Sequence, residues 1–277
     1  MGDWVERPWT VERPDDLDPV WRAALVSHNL RLSSDNPGVF VPAWKRSKKR
    51  KGEEKEWLLA HEDGGMAVLE RSRLGEFTNY KIPYSASTLI EEGIALLYGW
   101  IELWWEHNRI PRKIRIEFNA TEMPRLRKYT RSFLEHWGIR APTQEWGNDP
   151  LLGEVKEGRE LYRQILDYHL GPDESIERLL DQPLVYSLRG ILRKRRHIAV
   201  SKQMVVQTQL RWIVLTDHDG THNLEYGTKV VSLRRAHWNL EAPDNNTLAW
   251  KAGGETIKLR FPKHAFHFLD GSPVGTP

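Results

Sequence analysis

Two runs of cations are the residues of this chain whose type and spacing point most directly to chemistry. Lys45, Arg46, Lys48, Lys49, Arg50 and Lys51 sit almost side by side, with no apolar residue among them. Arg189, Arg193, Lys194, Arg195, Arg196 and His197 form a second run beside Leu188, Ile191 and Leu192. Clustered cations attract anionic lipid at roughly 1 kcal/mol each near the surface. They attract nucleic acid by counterion release, with a steep salt dependence. The competing reading of the first run is a solvated loop, partly neutralised by Glu53, Glu54 and Glu56. The second run reads equally as an amphipathic helix with its apolar side on a core and its cations in water.

Other chemistries are thinly represented. The sequence contains no Gly-x-Ser-x-Gly elbow, Walker loop or Gly-x-Gly-x-x-Gly stretch. The absence of cysteine removes disulfides, thiolate-bound zinc, iron–sulfur clusters and a thiol nucleophile together. Asp217, His218, Asp219 and His222 lie close together but match no metal-binding spacing, and a turn collects Asp, Gly and His for conformational reasons. His264 and His267, beside Phe266 and Phe268, read as packing or surface residues. Carboxylates are plentiful, yet none has a spacing that acid–base catalysis demands. The expectation is a binding protein without cofactor or metal. The enzymatic alternative is a hydrolase whose site is assembled from residues distant in sequence.

The elements that would position these residues are mostly strands. The chain has 277 residues, 39% hydrophobic and 29% charged, enough for one large domain or two ordinary ones. Thirteen Trp favour β-rich packing and aromatic surfaces, and Trp104 and Trp105 are candidates for an exposed face. A net charge of +3 permits anionic partners without requiring them. Met1–Glu6 lacks the basic and apolar regions of a signal peptide, and no apolar run approaches the roughly 18 residues of a membrane span. Together with the missing cysteine, this predicts a cytoplasmic protein.

Along the chain, Leu17–His28 fits a short helix with Val20, Trp21, Ala24 and Leu25 on one face. Strands are expected at Gly38–Trp44, Trp57–Ala60, Met66–Glu70, Phe77–Tyr84 and Lys113–Phe118, with an Asp63-Gly64-Gly65 turn. Ser85–His107 fits a helical period, and Thr88 with Glu91 would cap it. Gly93, Gly99 and the density of aromatics argue instead for a strand over Ile94–Trp105. Thr121–Trp137 reads as a helix capped by Thr121 and ended by Gly138. Helices are expected at Glu154–Leu170, Asp173–Asp181 and Tyr186–Arg196. Strands return at Ile198–Thr208, Leu210–Thr216, Thr221–Tyr226, Lys229–Leu233, Trp238–Leu240, Thr247–Lys251 and Thr256–Phe261.

Two stretches repeat an order of features. Glu56–Ala60, Asp63-Gly64-Gly65, Tyr80–Tyr84 and Ile114–Phe118 are echoed by Arg211–Leu215, Asp219-Gly220, Tyr226–Val231 and Ile257–Phe261. Strands Trp57–Glu62 and Gly65–Glu70, Ile114–Phe118 running into a helix, and Arg211–Asp217 together resemble bacterial pleckstrin-homology-like domains. The resemblance covers about 38–137 and 198–269 and implies a mainly β fold with two antiparallel small-barrel units and a helical linker, α+β overall. The boundaries are an N-terminal extension at 1–37, units at 38–140 and 198–270, a linker at 141–197 and a tail at 271–277. Only two helical turns fit after Phe261, so the second unit departs from the pattern at its closing helix. In domains of this kind the loop equivalent to Lys45–Lys51 often binds phosphorylated headgroups. The resemblance therefore implies a binding or scaffolding role through protein or anionic-membrane contacts, with nucleic acid at both basic clusters as the alternative.

Overall fold

Antiparallel pairing of neighbouring strands accounts for most of the chain. The computed structural model describes residues 7–43, 55–95, 97–141, 162, 165–166, 169–182, 185–189, 195–200, 202–217, 227–244, 247–252 and 255–260. Trp9–Val11 (β1), Gly38–Val41 (β2), Glu56–Glu62 (β3), Gly65–Arg71 (β4) and Phe77–Pro83 (β5) form one antiparallel sheet in chain order. Gly64, at φ 72°, turns β3 into β4 in the left-handed region that glycine enters without strain. Both faces of this sheet are covered. Phe40, Leu58, Ala60 and Leu69 pack with Trp21 and Leu25, while Val39, Trp57, Leu59 and Val68 face the opposite core. Double-sided burial explains the unbroken apolar runs in β3 and β4.

The helix Pro19–Ser27 (α1) covers the first face. Asp18 caps it by accepting from the N–H groups of Val20 and Trp21 at 2.9 and 3.0 Å. Trp21, Ala24 and Leu25 are buried as the period predicts, whereas Val20 is 47% exposed.

Ser87–Ala95 (β6), Tyr98–His107 (β7) and Ile110–Asn119 (β8) form the next meander. The stretch Ile94–Trp105 is therefore β, but it spans a hairpin rather than one strand. Asn108 and Arg109 take φ of 52° and 64°, giving a two-residue turn between paired His107 and Ile110. The helix Met123–His136 (α2) follows and ends at Gly138, at φ 89°. Its start differs from expectation. Asn119, not Thr121, supplies the capping side chain, accepting from the Thr121 N–H ahead of a single 3-10 turn.

The remaining strands are Ile176–Gln182 (β9), Val185–Arg189 (β10), Arg195–Val200 (β11), Gln203–Thr208 (β12), Arg211–Asp217 (β13), Gly227–Arg234 (β14), Asn239–Asp244 (β15), Thr247–Ala252 (β16) and Glu255–Arg260 (β17). Two expected helices are corrected here. Asp173–Asp181 covers most of β9, and Tyr186–Arg196 covers most of β10 and the start of β11. Ile176, Leu179 and Leu180 have helical spacing, but Leu180 joins the core on one sheet face while Ile176 and Leu179 join the core on the other. Leu188 lies on β10, while Ile191 and Leu192 lie outside the described residues, and apolar spacing over so short a span does not separate helix from strand. In Glu154–Leu170, Tyr162, Ile165, Leu166 and His169 are helical, and most of the stretch lies outside the described residues. Thr221–Tyr226, Lys263–Leu269 and the tail at 271–277 also lie outside them.

The two halves meet in one sheet. Its strand order is β8-β7-β6-β14-β13-β12-β9, with β6 and β14 antiparallel from Leu89 opposite Leu233 to Ala95 opposite Gly227. β15–β17 form a three-stranded sheet, and β10–β11 a two-stranded ribbon. Among the described residues the protein is thus mainly β, with α1 and α2 as its two full α-helices. The expected small barrels are not formed, since no sheet among the described residues closes on itself. No helix among those residues is long and apolar enough to cross a membrane.

Gly93 illustrates how tightly this sheet is fitted. It lies opposite Trp100, whose indole occupies the space above it, and a Cβ there would stand 1.9 Å from Trp100 Cζ2. Trp100 is only 1% exposed and cannot swing freely into solvent. Gly93→Ala is predicted to destabilise the protein by about 1–3 kcal/mol in denaturant unfolding. Unchanged stability would contradict this placement of the indole.

Candidate functional site

The sequence-derived cations fall at two connections of this framework. Lys45, Arg46, Lys48, Lys49, Arg50 and Lys51 lie outside the described residues, in the connection from β2 to β3. Arg193 and Lys194 also lie outside them, between β10 and β11, whereas Arg195 and Arg196 open β11. The ribbon register sets Arg189 opposite Arg195 and Leu188 opposite Arg196. The structure therefore replaces the expected amphipathic helix by a β-ribbon and does not bring the two basic runs into one described site. His218, Asp219, His222, His264 and His267 are outside the described residues. Asp217 is tied to Tyr162, whose hydroxyl donates to it at 2.7 Å.

The structure instead assembles ionisable groups that sequence separation concealed. Arg211 on β13 is fully buried and forms a two-pronged pair with Glu174. Its Nε donates to Oε1 at 2.9 Å and its Nη2 to Oε2 at 2.7 Å. Further bonds run from Arg211 to the His169 carbonyl at 2.7 Å and to Ser232 Oγ at 2.9 Å. Glu174 also accepts from Thr208 Oγ1 at 3.0 Å and the Gly171 N–H at 2.8 Å. Such a closed network offsets the desolvation of both charges, which a bare pair would not.

A second carboxylate, Glu92 of β6, is buried beneath α2. It accepts from Arg127 Nε at 2.8 Å and Thr130 Oγ1 at 2.6 Å, and lies 3.8 Å from His169 Nε2. Burial alone would raise the Glu92 carboxyl, but His169, Arg127 and the Thr130 hydroxyl outweigh it and hold it below the usual range. Burial pushes the His169 imidazole down to about 4, against the pull of Glu92 and with help from Arg127, Arg211 and Arg131. His169 is accordingly neutral at neutral pH, and Arg127 is the standing counter-charge of Glu92. These groups bind α2, β6 and the 169–174 segment together.

The opposite face of β6–β8 carries a half-buried network. Trp100, Trp104 and Tyr98 donate to Glu91, Glu102 and Glu117 at 2.8, 2.6 and 2.6 Å. Arg115 lies 3.6–3.9 Å from all three carboxylates and over the Trp100 ring at 4.7 Å. Lys229 reaches Glu91 at 3.2 Å. Strand alternation separates the two candidate aromatics. Trp105 enters the core, and Trp104 stays half-buried on this face beside Trp238, with ring centroids 6.2 Å apart. No local signal in the sequence links Trp104 to Trp238 or Glu92 to His169.

Two outcomes test the interior network. Truncating Glu174→Ala strands the Arg211 charge and should cost about 3–5 kcal/mol of stability; a loss under 1 kcal/mol would contradict the pairing. For His169, the folded value near 4 lies below the unfolded 6.5, so the unfolded chain takes up the proton first. Stability should fall as pH drops from 6.5 to 4, by up to roughly 3 kcal/mol. The ionised Glu92 contributes stability above 4.5, lost only as pH falls through its lower folded value. In His169→Gln the slope between pH 6.5 and 4 should flatten, and an unchanged slope would assign it elsewhere.

No protein-family model matches this sequence, and no curated protein matches it significantly.

Proposed function

We propose that this chain is a non-enzymatic binding module of two pleckstrin-homology-like units that docks on anionic membrane headgroups through Lys45–Lys51. The observation that carries this reading is strand order. β2–β5 are four strands of one sheet, β6–β8 are three strands of another, and α2 follows. The basic run then occupies the connection between the first two strands, the position that the resemblance associates with phosphorylated headgroups. A second set of four, β9, β12, β13 and β14, is followed by the three strands β15–β17. On this reading the second unit starts at β9, and the β10–β11 ribbon is an excursion from it.

The internal repeat fits the same scheme in part. Tyr80–Tyr84 and Tyr226–Val231 fall around the fourth strand of each set, and Ile114–Phe118 and Ile257–Phe261 around the last. The Trp-led strands sit one place out of step, β3 being second in its set and β13 third.

A second reading, nucleic-acid association, is favoured by the ribbon. A two-stranded β-ribbon fits the major groove. The backbone register of β10–β11 pairs Arg189 with Arg195, and Arg196 follows on the same strand, so the sequence is rich in cations there.

Vesicle flotation separates the two. Phosphoinositide-containing vesicles should carry the protein and neutral vesicles should not, and Lys48→Glu, Lys49→Glu and Arg50→Glu together should weaken binding at least about tenfold. Binding that survives this charge reversal sinks the membrane reading. Salt-dependent duplex binding lost in Arg195→Glu/Arg196→Glu, without vesicle binding, would establish the second.

A further inference from the structure

Large apolar side chains that the fold leaves in solvent gather toward one end of the β1–β5 sheet. Register sets Glu56, Arg71 and Phe77 in one row, so β3 and β5 begin, and β2 and β4 finish, at that end. Leu74, in the middle of the β4–β5 turn, is 86% exposed. The turn is tightly tied. The Ser72 N–H donates to the Glu76 carbonyl and the Gly75 N–H to the Ser72 carbonyl, each at 2.9 Å, and the Glu76 N–H donates to Ser72 Oγ at 3.2 Å. Val20 of α1, 47% exposed, lines with Ala23 and Phe77 a shallow groove open to solvent. Trp9, 37% exposed, lies against Phe40 with ring centroids 4.4 Å apart. Trp21 bridges Phe40 and Phe77 at 5.1 and 4.9 Å, so a row of packed rings backs the exposed groups.

The charge at this end says what covers these groups. Arg73 is exposed beside Leu74. The connection whose sequence includes Lys45–Lys51 leaves β2 and enters β3 at the same end. One exposed leucine is ordinary on a protein surface. A leucine fixed at a turn, with a valine and a tryptophan near it and cations beside it, is the pattern of a surface that lies on an anionic bilayer. There the cations meet headgroups, apolar side chains pass below them, and tryptophan sits at the interface. A neutral apolar partner would cover the same groups and leave the cations without counter-charge.

We propose that the β4–β5 turn is a membrane wedge. Leu74 enters an anionic bilayer just below the phosphates, Arg73 stays at their level, and Trp9 and Val20 rest at the rim. The proposal rests on the membrane reading above and adds an apolar component to it, carried by residues other than the basic run.

Because the protein lacks cysteine, Leu74→Cys accepts a single environment-sensitive label such as NBD. On phosphoinositide-containing vesicles its emission should rise and move to the blue, and nitroxides on the upper acyl chain should quench it. In the unlabelled protein, Leu74→Ser, which changes no charge, should weaken vesicle binding at least about fivefold. The side chain is exposed, so both variants should unfold at the wild-type temperature. Vesicle binding with no change at the label, or undiminished in Leu74→Ser, would overturn the wedge and leave the headgroup reading standing. Absence of vesicle binding by the wild type would overturn both, and self-association abolished by Leu74→Ser would then assign the patch to a second copy.

Discussion

The pairing of β6 with β14 is the constraint on which the rest of the structure depends. Each strand ends a run of strands close to it in sequence, β6 opening the β6–β8 meander and β14 completing the β12–β14 meander. Left apart, they would present two edges of unpaired N–H and C=O groups, a template for aggregation. Together they make seven residue pairs and one continuous sheet. The same register puts Glu92 opposite Val230 and Ile90 opposite Ser232, so Glu92 and Ser232 share the face that α2 and the 169–174 segment cover. The buried network is possible only because this register brings residues from both halves to one face.

That network acts more on arrangement than on net stability. A buried ion pair gains little over apolar groups of equal volume, but an unpaired buried charge is severely penalised. Glu92 needs α2, and Arg211 needs Glu174 and the His169 carbonyl. Any packing that leaves one of these segments undocked strands a charge in the interior. Apolar clusters on both faces of the long sheet supply the bulk of the burial, with Trp212, Trp238 and Trp250 on one side and Tyr162, Met204 and Ile213 on the other.

Local signals made much of this architecture legible. The Asp63-Gly64 turn, the Lys113–Phe118 alternation, the α2 stripe and its Gly138 terminus all lie within a few residues of the structure they specify. The errors share a cause. Ile176, Leu179 and Leu180 are apolar because β9 contributes side chains to the cores on both faces of its sheet, and such a strand mimics a helical stripe. The hairpin inside Ser85–His107 is hidden because the apolar residues of β6 and β7 also recur at a helical spacing, with Glu91, Glu92 and Glu102 between them. The Asn108-Arg109 turn went unread since Arg at φ 64° is an uncommon choice. The candidate sites divide likewise. Basic runs announce themselves by composition. The contacts of Trp104 with Trp238 and of Glu92 with His169 exist only once β6 and β14 have paired.

Native-state hydrogen exchange tests that pairing most directly. If it unites the halves, amides of β6 and β14 that bond across the junction should exchange only through global unfolding, with the same free energy as those of β3–β4 and β12–β13. Faster exchange at the β6–β14 amides, with the two halves opening at different free energies, would contradict the account.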